Sequence, residues 1–433
     1  MSAQATVPRY MSRFRCISER CEETCCSGLR IPVPEAEWRK IQKVIQDSGS
    51  PPPLDEPQNG PEGVQFLLPR DNNQNCTYLD SEKLCSLQRR FGEQALPSVC
   101  ITYPRHIARW QGQLSMVGSL GCPEVARLAL LDAEAMDEVP IEAERIPLPS
   151  PAGDGTSQDP EEGWGFHANE VRATALRLLR RKELPLTERL YLLAQLAFRL
   201  DPFYFKGTGA FRGEGRAASE AQLTEELRAI ESLAPLENTR RALAPQELPG
   251  AFFAEIYSSL LKTRADTYSN ERFLQLVTAV MHSYGGPTAT PQEAWRIYSE
   301  RRQRIERTHG PRLNQYFTHQ ALNHWLRGPF VFGRRVLVDV AWLVLNGGLQ
   351  RWALMGHPEV VRQCEQNVPE TPESREQLDQ AAVECFQPIY RHMDNSKDII
   401  HLSMGIAGDC NEDGLRRVLL LLKGYLDPVA PAA

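Results

Sequence analysis

The chain has 433 residues, a net charge of −6 and no long basic run, so no overall field draws it to a phosphate backbone and nucleic acid is not an expected partner. Its longest apolar run, VLVDVAWLVL at 336–345, is ten residues long and carries Asp339. That falls short of the roughly 20 residues that span a bilayer, so no membrane segment is expected. The opening MSAQATVPRYMSRFRC lacks the apolar core of a secretory signal, which predicts a cytoplasmic protein.

Cysteine usage divides the chain. Four thiols, Cys16, Cys21, Cys25 and Cys26, fall within the eleven residues CISERCEETCC, and Cys76, Cys85, Cys100 and Cys122 follow, whereas the last 311 residues hold only Cys364, Cys385 and Cys410. In a reducing compartment such a cluster is more often metal-binding or redox-active than a disulfide framework. All eight early cysteines are candidate metal ligands. Two thiolates share a metal ion only within about 4 Å of each other, since bonds from zinc to sulfur are roughly 2.3 Å long. The turn through Cys21, Cys25 and Cys26 therefore supplies a few ligands, and the run from Cys76 to Cys100 supplies the rest. The spacings of four, three and zero, then eight, fourteen and twenty-one residues contain no repeated C-x2-C of a zinc ribbon. They suit an iron–sulfur cluster wrapped by loops better than zinc. Eight thiols allow two four-ligand sites, or one site with bystanders. Cys364, Cys385 and Cys410, among core-like neighbours in helical stretches, are expected to pack as small hydrophobes.

Between the two cysteine runs a helix is predicted over Glu35 to Asp47. After it the insert Ser48 to Glu62, rich in proline and glycine, reads as a solvated loop. A second helix is predicted from Pro123 to Leu131. Pro, Gly, Ser and acidic residues then crowd together without periodicity between Asp137 and Gly165, which marks a linker. Beyond it Val171, Ala175, Leu178 and Leu179 recur at helical spacing. Leu190, Leu193, Ala197 and Leu200 do the same behind Thr187, a candidate N-cap. Phe273, Leu276, Val277, Val280, Met281 and Tyr284 form one face of a further helix. The 336–345 run is apolar nearly all round, so its helix belongs at the centre of a bundle. The fold expected is mainly α. A small loop-rich cysteine-cluster domain at 1–136 and a linker at 137–165 precede a multi-helix bundle domain at 166–433.

Other constellations carry less. GTGAFRGEG at 207–215 lacks the strand that precedes a dinucleotide loop and reads as a helix connection, as does GDG at 153–155. His319 and His324 are five apart, roughly 140° around a helix, and make poor co-ligands. The carboxylates beside the thiols, Glu22, Glu23, Asp80 and Glu93, are candidate bases or partners of the site. Glu23 and Asp80 are the two expected to be catalytic, against the ordinary alternative of a solvated loop charge.

Three separated segments carry a resemblance. RYMSRFRCISERCEETCCSGLRIPV, NCTYLDSEKLCSLQRRFGEQALPSVCITYPR and SLGCPEVARL resemble the flagellin lysine-N-methylase family of bacterial cysteine-cluster proteins. Cys76 to Asp80, Gly92-Glu93 and Tyr103-Pro104-Arg105 are among the matching positions. The likeness is strong over residues 9–130 and looser afterwards. There NQYFTHQALNHWLRGPFVFG at 314–333 is similar to a helical segment of the family, and IYRHMDNS at 389–396 stands where the family tends to read Ser-Arg-x-Ile-Glu-His. Asp394 and Asn395 depart from that Glu-His pair. The resemblance implies transfer of methyl groups from S-adenosylmethionine to lysines of a protein substrate, flagellin or another. It also implies an iron–sulfur centre, of the 4Fe-4S kind, in the cysteine-rich part. A lysine with a pKa near 10.4 attacks a sulfonium methyl only when deprotonated, so a base or a desolvating pocket is needed. The first cysteine run lacks the C-x3-C-x2-C spacing associated with radical chemistry of that cofactor. The alternative is a non-catalytic iron- or zinc-binding module whose helical domain docks a partner. On either reading the reactive centre is expected in or beside the cysteine domain.

Overall fold

The computed structural model describes residues 4–27, 31–47, 57–60, 63–72, 75–110, 113–147, 164–204, 220–232, 234–243, 245–246, 249–267, 270–328, 335–394 and 396–426. The first third contains β1 (Gln4–Pro8), α1 (Arg9–Arg13), β2 (Pro32–Pro34), α2 (Glu35–Asp47), β3 (Pro57–Gly60), β4 (Gly63–Leu67) and α3 (Ser86–Phe91). It continues with α4 (Ser98–Thr102), β5 (Arg105–Trp110), β6 (Gln113–Gly118), α5 (Pro123–Leu131) and β7 (Glu138–Glu142). The remainder is helical: α6 (Trp164–Leu179), α7 (Leu186–Tyr204), α8 (Glu220–Glu231), α9 (Ala234–Leu243), α10 (Gly250–Thr267), α11 (Glu271–Ser283), α12 (Pro291–Arg327), α13 (Val336–Gly356), α14 (Pro358–Glu365), α15 (Pro372–Met393), α16 (Lys397–Ala407) and α17 (Glu412–Leu426). Among the described residues no helix is long and apolar enough to cross a membrane.

A mainly α protein with an irregular cysteine-rich start is what the composition predicts. The helices predicted over Glu35–Asp47 and Pro123–Leu131 form at those bounds, the second opened by Pro123, whose missing N–H costs nothing in a first turn. α11 buries Phe273, Leu276, Val277 and Val280 on one face, and the side chain of Asn270 caps it by accepting from Phe273 N. Every residue of α13 is buried, as an all-round apolar sequence requires. Thr187 differs from expectation. It lies inside the first turn of α7, which starts at Leu186, while Leu190, Leu193, Ala197 and Leu200 are buried as expected. The long helix α12 is bent at His309 (φ −123°, ψ 22°), two residues before Pro311, whose ring cannot supply a backbone donor.

The strands were not anticipated. One sheet has the order β5-β6-β1-β7, with β1 and β6 parallel and its other pairs antiparallel. A second, antiparallel sheet has the order β2-β4-β3. Two stretches read as loop are therefore partly strand: Pro57–Gly60 in the 48–62 insert pairs with β4, and Glu138–Glu142 in the proposed linker pairs with β1. The rest of the insert, apart from these strands, and residues 148–163, with the GDG at 153–155, lie outside the described residues, as does the 207–215 glycine stretch.

The cores divide along a different line from the sequence. Val7, Tyr10 and Met11 from β1 and α1, Met116 and Val117 from β6, and Val125, Ala129 and Leu130 from α5 join the helices in one large hydrophobic core. A separate small core holds Val33, Trp38, Ile41, Ile45, Leu68, Cys76 and Leu87, with Cys26, Cys85 and Cys100 packed against it. Residues 4–14 and 105–146 thus belong physically with the helices. Segments of the resemblance meet at this joint: Asn323 of α12 donates to Gly118 O (3.0 Å), and the hydroxyl of Tyr10 accepts from Gly118 N (2.7 Å) while bonding the amide oxygen of Asn323.

Candidate functional site: a thiol-lined cavity

The two cysteine runs meet. Cys76 N donates to Cys26 O (2.8 Å), an isolated bridge pairs Ser27 with Asn75, and another pairs Leu79 with Cys85. These short ladders bring Cys25, Cys26, Cys76, Cys85 and Cys100 to the wall of one cavity of about 300 Å³. The same wall carries Arg70, Tyr103, His106 and Ser119, and from the far side Tyr390, Arg391 and Asp394. The cavity therefore lies between the small cysteine core and the C-terminal end of α15.

Burial, and the negative charge that neighbouring thiolates would carry, push up three of the cavity thiols, Cys25, Cys76 and Cys100. Cys76 is raised, and Cys100 is pushed to about 12, mainly by desolvation, with Cys25, Cys85 and Cys76 adding to it. Cys25 is raised first by its hydrogen bond with Cys26 and then by burial. It keeps accessible surface, as a residue lining an open cavity does. A bound metal reverses this, because a coordinating thiol is deprotonated outright. The donor set is the one an iron–sulfur cluster takes. The thiols line the cavity and do not converge on a point: among the described residues no three His, Cys, Asp or Glu side chains stand ready to hold a single metal ion.

The other three early cysteines sort elsewhere. Cys21, Cys16 and Cys122 act electrostatically on one another, and burial raises Cys21 and takes Cys122 to about 11. None of the three lines the cavity. The tight turn at Ser18–Arg20 lies between Cys16 and Cys21, and only residues 22–24 stand between Cys21 and Cys25, yet Cys25 and Cys26 line the cavity and Cys16 and Cys21 do not, so the first run feeds two places instead of one. Cys364, Cys385 and Cys410 are buried in the large core, the first two in helices and Cys410 in a turn at φ +54°.

The two candidate carboxylates occupy unlike settings. Glu23 is buried in the cysteine loop and accepts from Asn270 Nδ2 (3.0 Å) and Gln387 Nε2 (2.9 Å), with His392 Nε2 at 3.3 Å. Arg391 Nε lies 2.9 Å from Oε1 as an ion pair, too bent for a hydrogen bond. Burial alone would raise the Glu23 carboxyl, but His392, the charge of Arg391 and Gln387 outweigh it and hold it at about 2. So placed, Glu23 is an anchor that ties the cysteine loop to α11 and α15. Asp80 lies in the turn between Cys76 and Cys85, where it accepts from Glu82 N, Leu84 N and Arg89 Nη1 and does not line the cavity. Backbone donors first, then Arg89, hold its carboxyl below the usual range. Glu22 lies in a different and larger groove of about 760 Å³, paired with Arg127.

The sequence model of the FliB lysine N-methylase C-terminal domain matches residues 172–419. The chain belongs to the FliB lysine N-methylase family. It is 30% identical over 139 residues to Lysine-N-methylase of Salmonella typhimurium, a match covering 30% of this chain and 33% of that protein. It is 29% identical over 139 residues to Flagellar biosynthetic protein FliU of Salmonella muenchen, covering 79% of that protein. The chain thus matches only about a third of the length of the lysine-N-methylase it resembles. No solved structure matches.

The FliB match falls on the helices, where the motif likeness is looser, and takes in the α15 wall of the cavity but none of the eight early cysteines. Arg391 and Asp394 were missed as site residues by sequence reasoning, although IYRHMDNS was singled out. Asp394 puts a carboxylate in the wall. The signal was the position, and only folding shows that it faces thiols some 300 residues away.

Proposed function

We propose that this chain is a protein-lysine N-methyltransferase that draws methyl groups from S-adenosylmethionine and works in the cytoplasm on flagellin or another lysine-bearing protein. What supports the reading is that five thiols from separated runs line one cavity whose opposite wall belongs to the FliB helical region. Cys25, Cys26, Cys76, Cys85 and Cys100 would hold an iron–sulfur cluster there, with Cys16, Cys21 and Cys122 outside it. Such a cluster, when bound, supplies a fixed Lewis-acidic or electron-donating centre beside the reacting groups. The chain's own residues provide a cavity whose wall is mainly apolar, which disfavours a substrate ammonium relative to the amine. They also provide the Glu23 anchor that holds the cysteine loop against α15.

The test is incubation of anaerobically purified protein with labelled methyl donor and host lysate. Label recovered on lysine ε-nitrogens, from a brown protein, is the expected result. A colourless zinc protein that transfers nothing would instead make the chain a non-catalytic module.

A further inference from the structure

Two charged side chains of opposite sign that line the cavity each keep one buried polar atom that makes no hydrogen bond among the described residues. Arg391 has a side chain only 1% exposed; its Nη2 donates to the carbonyls of Thr24 and Ser27, its Nε pairs with Glu23, and its Nη1 makes no hydrogen bond. Asp394 has a side chain 6% exposed; its Oδ2 accepts from Arg327 Nη1 (3.1 Å), and its Oδ1 makes no hydrogen bond. Both residues line the thiol cavity. They are three apart at the end of α15, where Asp394 still has helical backbone angles, so they stand on one face.

Buried charged groups normally have every polar atom satisfied, and an exception calls for a missing partner. A single guest that reaches both, once a shift of the two side chains opens these buried atoms to the cavity, must present an anion to Arg391 and a cation to Asp394, which is the chemistry of an α-amino-acid zwitterion. We propose that Arg391 Nη1 and Asp394 Oδ1 form a subsite for the α-carboxylate and α-ammonium of the methionyl end of the methyl donor. This deepens the function proposed above and rests on it. A guanidinium fits a carboxylate and a carboxylate fits an ammonium through charge-assisted hydrogen bonds, the stronger kind. The subsite would turn the amino-acid end toward α15 and leave the nucleoside end to the rest of the cavity.

The test is calorimetric titration of the full, anaerobically purified protein with three ligands. S-adenosylhomocysteine carries both ends, 5′-methylthioadenosine lacks the amino-acid end, and L-methionine lacks the nucleoside. S-adenosylhomocysteine is expected to bind about tenfold or more tighter than either of the others, as charge-assisted bonds imply. Asp394→Asn, which keeps the shape and can still face Arg327, should remove that advantage over 5′-methylthioadenosine and leave the affinity for the latter unchanged. If that variant fails to fold, the ligand comparison on the unaltered protein still decides. Equal binding of S-adenosylhomocysteine and 5′-methylthioadenosine overturns the subsite, as does an advantage that survives Asp394→Asn. Tight binding of L-methionine alone overturns it in favour of a free amino acid. Methyl transfer without these binding differences overturns the subsite but spares the function. Absence of both binding and transfer removes the two together.

Discussion

Glu23 shows how far a residue's neighbours decide its work. In sequence it is one of four carboxylates beside thiols, and nothing local marks it as buried. In the fold it is 5% exposed and faces Arg391, His392, Gln387 and Asn270. Glu23→Gln leaves the Arg391 cation without its counter-charge, and breaking a buried pair typically costs about 3–5 kcal/mol. Urea denaturation should show a loss of that order. A change too small to resolve would mean that the cysteine loop is not held through this contact. His319 makes a second prediction at this scale. It is buried, with Nδ1 2.8 Å from Ala129 O, and desolvation lowers its pKa below the ordinary 6.5. The folded state therefore takes up its proton at lower pH than the unfolded chain does. Its contribution is complete above the unfolded value, and stability falls as pH drops below about 6.5, because the unfolded chain binds more protons there. His319→Gln should flatten that part of a melting-temperature profile. An unchanged slope would assign it to other groups.

Among elements, those with a strong period were legible and those made by distant pairing were not. α2, α5, α11 and α13 follow from apolar spacing and a first-turn proline within their own stretches. The strands are three to six residues long, and β1 pairs with β6 and β7 more than 100 positions away, so no local pattern announces them. The same limit hid the sorting of thiols into cavity and non-cavity groups, since spacing carries no record of which loop folds over which. The contact between the SLGCP loop and α15 is of this kind. A Cβ at Gly121 would come 3.1 Å from Arg391 Cα and 3.2 Å from Arg391 N, so the glycine lets two backbones approach beneath the cavity wall. Gly121→Ala should separate them by a few tenths of an ångström and destabilise by about 1–3 kcal/mol, the usual cost of overpacking. Gly405→Ala, in α16 with nothing within 4 Å, should instead be neutral or slightly stabilising in the same thermal melt. Equal effects at the two positions would remove the close approach as the cause.

At the scale of the whole molecule, the division legible in the sequence is one of chemistry and the division in the structure is one of packing. Thiols do concentrate before residue 123, yet β1, α1, β6 and α5 bury their apolar faces in the helical core. Among the described residues, the small group around Trp38, Ile41 and Leu68 stands apart. A core of seven buried residues is too small to be very stable alone, and units of that size usually depend on a staple such as a metal site. The cavity thiols lie where such a staple would act, between that core and α15. The most direct measurement is iron per chain after anaerobic purification, for the unaltered protein and for Cys100→Ser and Cys364→Ser. About four irons per chain, as a single 4Fe-4S cluster requires, should be found in the unaltered protein and in Cys364→Ser and be lost in Cys100→Ser. One zinc per chain, or iron that survives the loss of Cys100, would contradict the account.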